Sequence, residues 1–337
     1  MRGIHLRRIA FLHMGLRPLW LKCIHKLGAA RAAQGFSAVE ITPTHLTGVA
    51  VGKPRHKGGL PLVLKIGSVA KNDARPDKAF AELAAQINVR NTRWVLLPLR
   101  EDYRVSVMPE PAVPSAEIAQ SVRWQFAPTL DFAIDDAVIA HMAIPTATRQ
   151  PDQPQELYVI AARAETMRAY AQQCRAARLQ LAAIDIHETA QRNIATLAVA
   201  PAQGIGMVSF GREHVQITFS WQGELYLDRL IAESLASFNG QPERRDVITA
   251  RVLLQVQRSI DALRESMPFI PLERILVAGA PADFCAQLSQ SITEEVQPLK
   301  LETLFDLSLV PELHDPALAI DYLPVLGAAV RGMDNIA

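Results

Sequence analysis

The run Gly35-Phe36-Ser37-Ala38-Val39-Glu40-Ile41, the turn Thr42-Pro43-Thr44-His45 and the run Leu46-Thr47-Gly48-Val49-Ala50-Val51 decide the fold of this chain. Apolar residues alternate with small or polar ones in both runs, which predicts two antiparallel strands joined by a hairpin. Leu60 to Ile66 reads as a third strand, reached through the basic turn Pro54 to Gly59. A helix follows, opened by Pro76, whose missing N–H does no harm at a first helical position. It carries Phe80, Leu83, Ala84 and Ile87 on one face. Trp94 to Leu97 is the next strand, and Tyr103 to Met108 another.

The same order returns later. Strands fit Gly206 to Phe210, Val215 to Ser220 and Glu224 to Leu230, with turns at Gly211-Arg212-Glu213-His214 and Trp221-Gln222-Gly223. A long helix from about Glu243 to Glu265 has Leu253, Val256, Ile260 and Leu263 in register. Arg274 to Ala278 is a buried-type strand ending at Gly279, and Pro281 to Ile292 is expected to be helical. The copies, about residues 35–98 and 206–278, share a plan rather than residues. Two βββαβ halves predict an α/β protein of the actin-like (ribonuclease-H-like) duplicated fold, its lobes facing each other across a cleft.

Between the halves the rhythm changes. Ser115 is placed to cap a helix bearing Ile118, Val122 and Phe126. Strands follow at Ala137 to Ile144 and Leu157 to Ala162, separated by a proline-rich polar loop, Thr146 to Gln155. A helix with Met167, Tyr170, Ala171 and Cys174 leads to a strand, Leu181 to Ile186, and a last helix starts near His187. This is an inserted small α+β subdomain of order αββαβ. The expected division is a basic segment 1–34, a first half 35–112, the insertion with its return helix 113–200, and the second half with a closing helix 201–332. The closing run, Pro316 to Arg331, contains Pro324, which should kink or shorten it.

With 337 residues, 49% of them apolar and 20% charged, the chain is long enough for about two domains and a sizeable core. Its formal net charge is +1, so no global field draws it to nucleic acid. The charge is uneven, however. Before Glu40 there is no acidic residue, but Arg2, Arg7, Arg8, Arg17, Lys22, Lys26 and Arg31 are present. Without those seven, 28 basic residues face 34 acidic ones, so the body is acidic. In the leader Ile9, Leu12, Leu16, Trp20, Cys23 and Leu27 recur at helical spacing. A secretion signal is disfavoured because His13, Arg17 and Pro18 break its apolar core. A basic amphipathic helix on an anionic membrane surface and a plain extension, or a start codon placed too early, both stay open. Cys23, Cys174 and Cys285 are far apart and form no metal or disulfide pattern, as in a reducing compartment. No apolar run is long enough to span a membrane.

The insertion carries the most specific words: Val113-Pro114-Ser115-Ala116-Glu117-Ile118, then Ser121-Val122-Arg123-Trp124 and Leu130-Asp131-Phe132. After these come Ala137 to Pro145, Glu156 to Ala162, Leu181-Ala182-Ala183-Ile184-Asp185-Ile186 and Ala190-Gln191-Arg192-Asn193. These runs resemble the MshI family of mannose-sensitive-haemagglutinin-type pilus assembly. Leu326-Gly327-Ala328-Ala329-Val330-Arg331-Gly332 is similar to the closing helix of the related PilM proteins. The resemblance spans about residues 35–332. It implies an actin-like, FtsA-related cytoplasmic protein at the inner face of the bacterial inner membrane. Such a protein works among other pilus assembly platform proteins and grips the tail of a PilN-like inner-membrane partner. Membrane association would then be peripheral, through that partner, with no nucleic acid involved.

Relatives that bind ATP have Asp-Ile-Gly at the first turn, where this chain has Glu40-Ile41-Thr42 and then Pro43. Proline offers no N–H and threonine brings a Cβ to a place of close approach. At the second turn Asp-x-Gly is matched by Ser209-Phe210-Gly211, so the carboxylate is gone, and at the adenosine turn Gly-Gly is matched by Gly279-Ala280. The resemblance thus implies a degenerate nucleotide cleft around Thr42, Thr44, Gly211, Arg212, Gly279 and Ala280. No cofactor is assigned with certainty, ATP with Mg²⁺ stays possible, and the expected role is non-enzymatic. Two rivals stay open: an ATPase of the same fold that drives assembly, and the cytoplasmic part of a type II secretion platform protein. The latter would carry a transmembrane helix after this fold, which the sequence up to Ala337 does not contain.

Other chemistry is set aside. His187-Glu188 begins like a zinc-protease helix, but Gln191 stands where the second ligand belongs, so the pair is expected to cap the helix. Gly204-Ile205-Gly206 lacks the third glycine of a dinucleotide loop. Asp135-Asp136 is read as a polar turn, and Trp124 as half-buried. No catalytic residue or metal ligand is assigned.

Overall fold

In the computed structural model, the described residues are 35–331 except 57, 72–74, 88, 90, 91, 147–154, 201, 235–237, 239–241 and 282. The leader 1–34 and most of the loop 146–155 lie outside them. In chain order the elements begin with β1 (Gly35–Ile41), β2 (His45–Gly52), β3 (Leu62–Ala70), α1 (Pro76–Ile87), β4 (Thr92–Leu97) and β5 (Tyr103–Pro109). Then come α2 (Ile118–Phe126), β6 (Ala137–Ala143), β7 (Glu156–Arg163), α3 (Ala164–Ala176), β8 (Leu181–Ile184) and α4 (His187–Leu197). The second lobe has β9 (Gly204–Phe210), β10 (Val215–Trp221), β11 (Glu224–Ile231), α5 (Pro242–Ser266), β12 (Leu272–Ala278), α6 (Phe284–Ser289) and β13 (Glu295–Pro298). The closing helix is α7 (Pro316–Val330).

Two five-stranded sheets have the same order, β3-β2-β1-β4-β8 and β11-β10-β9-β12-β13. In each, the first three strands are antiparallel and the last two are added in parallel. This is the duplication expected from sequence. The central strands β1 and β9 are buried along their whole length, because helices cover both faces of their sheets. On the inner side a shared core joins Ala38, Val49 and Leu97 of one sheet to Ile205, Met207 and Leu276 of the other through α4 and α7. On the outer faces Phe80, Leu83 and Ile87 of α1 with Cys174 of α3 cover the first sheet, and Val252, Val256 and Ile260 of α5 cover the second. Each such large side chain contributes about 1.5–3 kcal/mol relative to staying in water.

A third sheet has the order β5-β7-β6. Its alternation splits β7 between two neighbours. Leu157, Val159 and Ala161 pack under α2 with Val122 and Phe126, while Tyr158 joins the core of the second lobe. The small sheet is therefore held between its own helix α2 and the core of the second lobe.

Two strands sit in other sheets than the segment borders 112/113 and 200/201 suggest. Tyr103–Pro109, placed by sequence with the first half, pairs antiparallel with β7 of the small sheet. Leu181–Ile184, placed with the insertion, pairs in parallel with β4 as the fifth strand of the first sheet. Strand pairing is a long-range choice that local alternation does not encode. Smaller differences follow. Ser115 does not cap α2, whose N-cap is Glu117 without a side-chain bond. The helix expected over 281–292 is confined to Phe284–Ser289, and β13 was not foreseen. Pro324 sits inside α7, which runs on past it to Val330. Trp124 is exposed (60%) rather than half-buried. Among the described residues, no helix is long and apolar enough to cross a membrane.

Candidate functional site: the interlobe cleft

The cleft is built from the β1–β2 turn, the β9–β10 turn, the start of α4 and the start of α7. At the first turn, Thr42 N–H donates to the His45 carbonyl (2.9 Å), and Thr42 Oγ1 accepts from His45 N–H (2.9 Å). Thr44 Oγ1 lies 2.9 Å from His45 Nδ1. The turn thus closes on itself, with the Thr42 N–H pointing into its own loop. The second turn does likewise: Gly211 N–H donates to the His214 carbonyl (2.9 Å).

Arg212, the cation beside that turn, is held by Asp321 of α7 in a two-pronged pair, with Nε 2.6 Å from Oδ1. The bond to Asp321 raises the Arg212 pKa further. Gly279 has φ of +69°, and a Cβ there would lie 2.8 Å from both the Phe210 carbonyl and Ile320 of α7. Its close approach serves this chain's own helix and strand. Ala280 packs on the second-lobe core. Gly211, Arg212 and Gly279 are therefore gathered at the start of α7. Thr42 and Thr44 lie on the opposite wall, beyond Glu40.

Carboxylates line the space between. Glu40 of β1 lies 2.9 Å from His187 Nε2 at the start of α4. Glu213 has its pKa raised by partial burial and then by the negative neighbours Glu101 and Glu40. Burial, with Arg100 and His187 nearby, lowers that of His214. A triphosphate needs free N–H donors and cations here. The residues present fit one poorly: the N–H groups of Thr42, His45 and Gly211 are used within their own turns, Arg212 is paired with Asp321, and the carboxylates of Glu40 and Glu213 stand close by. Among the described residues no group of three or more His, Cys, Asp or Glu side chains is arranged to hold a metal ion.

Behind the cleft is a buried network that crosses all three sheets. Glu188 is fully buried; Arg100 pairs with its Oε1, and Tyr103 O–H donates to its Oε2 (3.0 Å). The same Tyr103 oxygen accepts from the His187 backbone N–H (3.1 Å) and lies 2.9 Å from His187 Nδ1. His187 and Glu188 thus bind other elements rather than cap α4, contrary to the sequence expectation. From the second lobe comes Asp228, whose carboxyl is pushed up to about 7 by burial and by Glu188, against Gln216 and Arg100. Gln191, one turn on, donates to the Met207 carbonyl (3.0 Å) and Thr218 Oγ1 (3.1 Å) and accepts from Ser209. Sequence reading missed Arg100, Tyr103 and Asp228, since about 85 residues separate Tyr103 from its partners. A cation and a phenol opposite a lone buried acid carry no local spacing.

The fold is actin-like. The chain is similar to one in the PilM–PilN type IV pilus biogenesis complex, with a TM-score of 0.67 and 18% identity over 89% of this chain and 99% of that one. It also matches the cytoplasmic domain of EpsL, an inner-membrane component of the type II secretion system of Vibrio cholerae, with a TM-score of 0.48 and 11% identity. That match covers 84% of this chain and 94% of the other. A Bacteroides thetaiotaomicron protein with an actin-like ATPase fold gives 0.44 at 9% identity, covering 83% and 95%. No family model and no curated protein matches this sequence.

Proposed function

We propose that this chain is a non-catalytic actin-fold adaptor of type IV pilus assembly, of the mannose-sensitive-haemagglutinin type. It binds the cytoplasmic tail of a PilN-like inner-membrane protein, at the inner face of the inner membrane. The observation that carries this reading is the likeness over nearly the full length of a chain solved in a PilM–PilN complex. The self-closed turns and the clamped Arg212 support a cleft kept as scaffold rather than as an ATP site. Docking would take an extended or short helical peptide through apolar anchors and main-chain hydrogen bonds. The test is co-purification of the full chain with a PilN-like tail peptide, followed by titration. Saturable binding in the micromolar range is expected, and none at high micromolar peptide overturns the reading.

A further inference from the structure

The edges of the two large sheets are β3, β8, β11 and β13. β8 and β13 have four residues each, and β13 ends in a proline. β11 meets the small sheet, where the Asp228 main-chain N–H donates to the Tyr158 hydroxyl. β3 is nine residues long. Its start is covered from within the chain: Val63 N–H donates to the Asp306 carbonyl (3.0 Å), and Asp306 N–H to the Pro61 carbonyl (2.9 Å). The register then shifts opposite Ala50 and Val51, and from Ile66 to Ala70 the strand has a neighbour on one side only.

The ladder fixes which main-chain groups face outward. Lys71 N–H donates to the Thr44 carbonyl (2.7 Å), one step beyond the pair of His45 and Ala70. Bonded and non-bonded pairs alternate along an antiparallel ladder, so Val69 and Gly67 are the residues that bond to β2. Ile66, Ser68 and Ala70 therefore turn both N–H and C=O away from the sheet. Among the described residues none of these groups has a hydrogen-bond partner. Ser68 and Ala70 are exposed, and none of the three positions carries the charge or proline that guards a lone edge.

Helix α1 returns antiparallel to β3 and packs over β2 and β3. Its Gln86 overhangs this edge: a Cβ on Gly67 would lie 2.8 Å from Gln86 Oε1. Glu82 stands one turn back in the same row and is exposed. Neither side chain has a hydrogen bond or ion pair among the described residues.

We infer that this edge docks a second copy of the chain, β3 against β3 and antiparallel, about a two-fold axis at Ser68. The edge is its own complement. Ile66 of one copy faces Ala70 of the other, large against small, Ser68 faces Ser68, and each pair closes two main-chain bonds. The same axis sets the α1 helices side by side and antiparallel, about 10 Å apart, which is ordinary helix packing. Glu82 of each copy then meets the Gln86 amide of the other, an acceptor against a donor. A peptide of unrelated sequence would satisfy the main chain and leave these side chains unmatched. The inference is independent of tail binding, because the purified chain alone displays it.

The experiment is sedimentation of the full chain by itself over a concentration series. A dimer forms with a micromolar Kd. Ser68→Pro removes an N–H that the fold does not use, so the variant stays monomeric up to about 100 μM. Its melting midpoint, read at about 1 μM where both proteins are monomers, is unchanged. Gln86→Glu sets carboxylates against each other and weakens the dimer about fivefold, and E82K/Q86E restores it. A chain that is monomeric at about 100 μM overturns the proposal. So does a dimer that neither Ser68→Pro nor Gln86→Glu weakens, or a Ser68→Pro midpoint several degrees lower, which would place that N–H inside the ladder. A monomer whose tail-peptide binding is abolished by Ser68→Pro overturns it too, and gives the edge to that peptide.

Discussion

Arg100 and Glu188 show how much one contact carries in this molecule. Glu188 is sealed from water, and its charge is tolerable because a guanidinium and a phenol answer it. Removing the cation leaves the carboxylate buried and unpaired. Arg100→Ala should therefore destabilise the chain by about 3 kcal/mol in urea unfolding, and adding Glu188→Gln should recover part of that loss. Asp228 makes the opposite contribution. Its folded carboxyl stands at about 7 against an ordinary 3.8. Between those values the folded chain keeps a proton that the unfolded chain has released, so the stability this group confers falls as pH rises through that window. Asp228→Asn retains the acceptor for Gln216, which donates at 2.9 Å, but carries no charge. Its stability advantage over the unaltered chain should grow by roughly 2 kcal/mol from about pH 5 to about pH 7, read by denaturant unfolding.

At the level of elements, α4 and α7 cross in close backbone contact. A Cβ on Gly327 would lie 2.1 Å from the Ala190 carbonyl, and Asn193 donates to the Gly327 carbonyl at 2.9 Å. Gly327→Ala should therefore push the helices apart and destabilise the chain by about 3 kcal/mol, seen as a lower melting midpoint. This crossing also explains part of what was legible in the sequence. The runs Ile184-Asp185-Ile186 and Arg192-Asn193, far from Leu326 to Arg331 in the chain, touch that closing run: Asn193 holds Gly327, and Asp185 pairs with Arg331 (2.9 Å). Strands β1, β2, β9 and β10 were readable because a buried strand must be apolar along most of its length and must end at a turn. Which sheet receives Tyr103–Pro109 or Leu181–Ile184 was not readable, since either sheet offers an edge and only tertiary packing chooses. The candidate cleft residues were found as positions. That the N–H groups of Thr42 and Gly211 are spent inside their own turns is visible only in the geometry.

Taken whole, the molecule is two lobes fastened at several points across the cleft. Glu40 of the first lobe meets His187 of α4, Arg212 of the second lobe meets Asp321 of α7, and the small sheet sends Tyr158 into the second core while Tyr103 holds Glu188. An actin-type nucleotide machine requires the opposite: lobes free to hinge and a cleft whose donors wait for phosphate. A ligand present at ten times its Kd adds about 1.4 kcal/mol to stability, which in a chain of this size moves the melting midpoint by a few degrees. Mg-ATP and Mg-ADP at about 1 mM should therefore leave the midpoint unmoved, since Arg212 is paired with Asp321 and the negative charges of Glu40 and Glu101 already raise the pKa of Glu213 beside the turn. A saturable rise of a few degrees with either nucleotide would mean that the clamp of Asp321 on Arg212 opens in solution. The cleft would then bind nucleotide, and the reading of it as a scaffold without a ligand would give way.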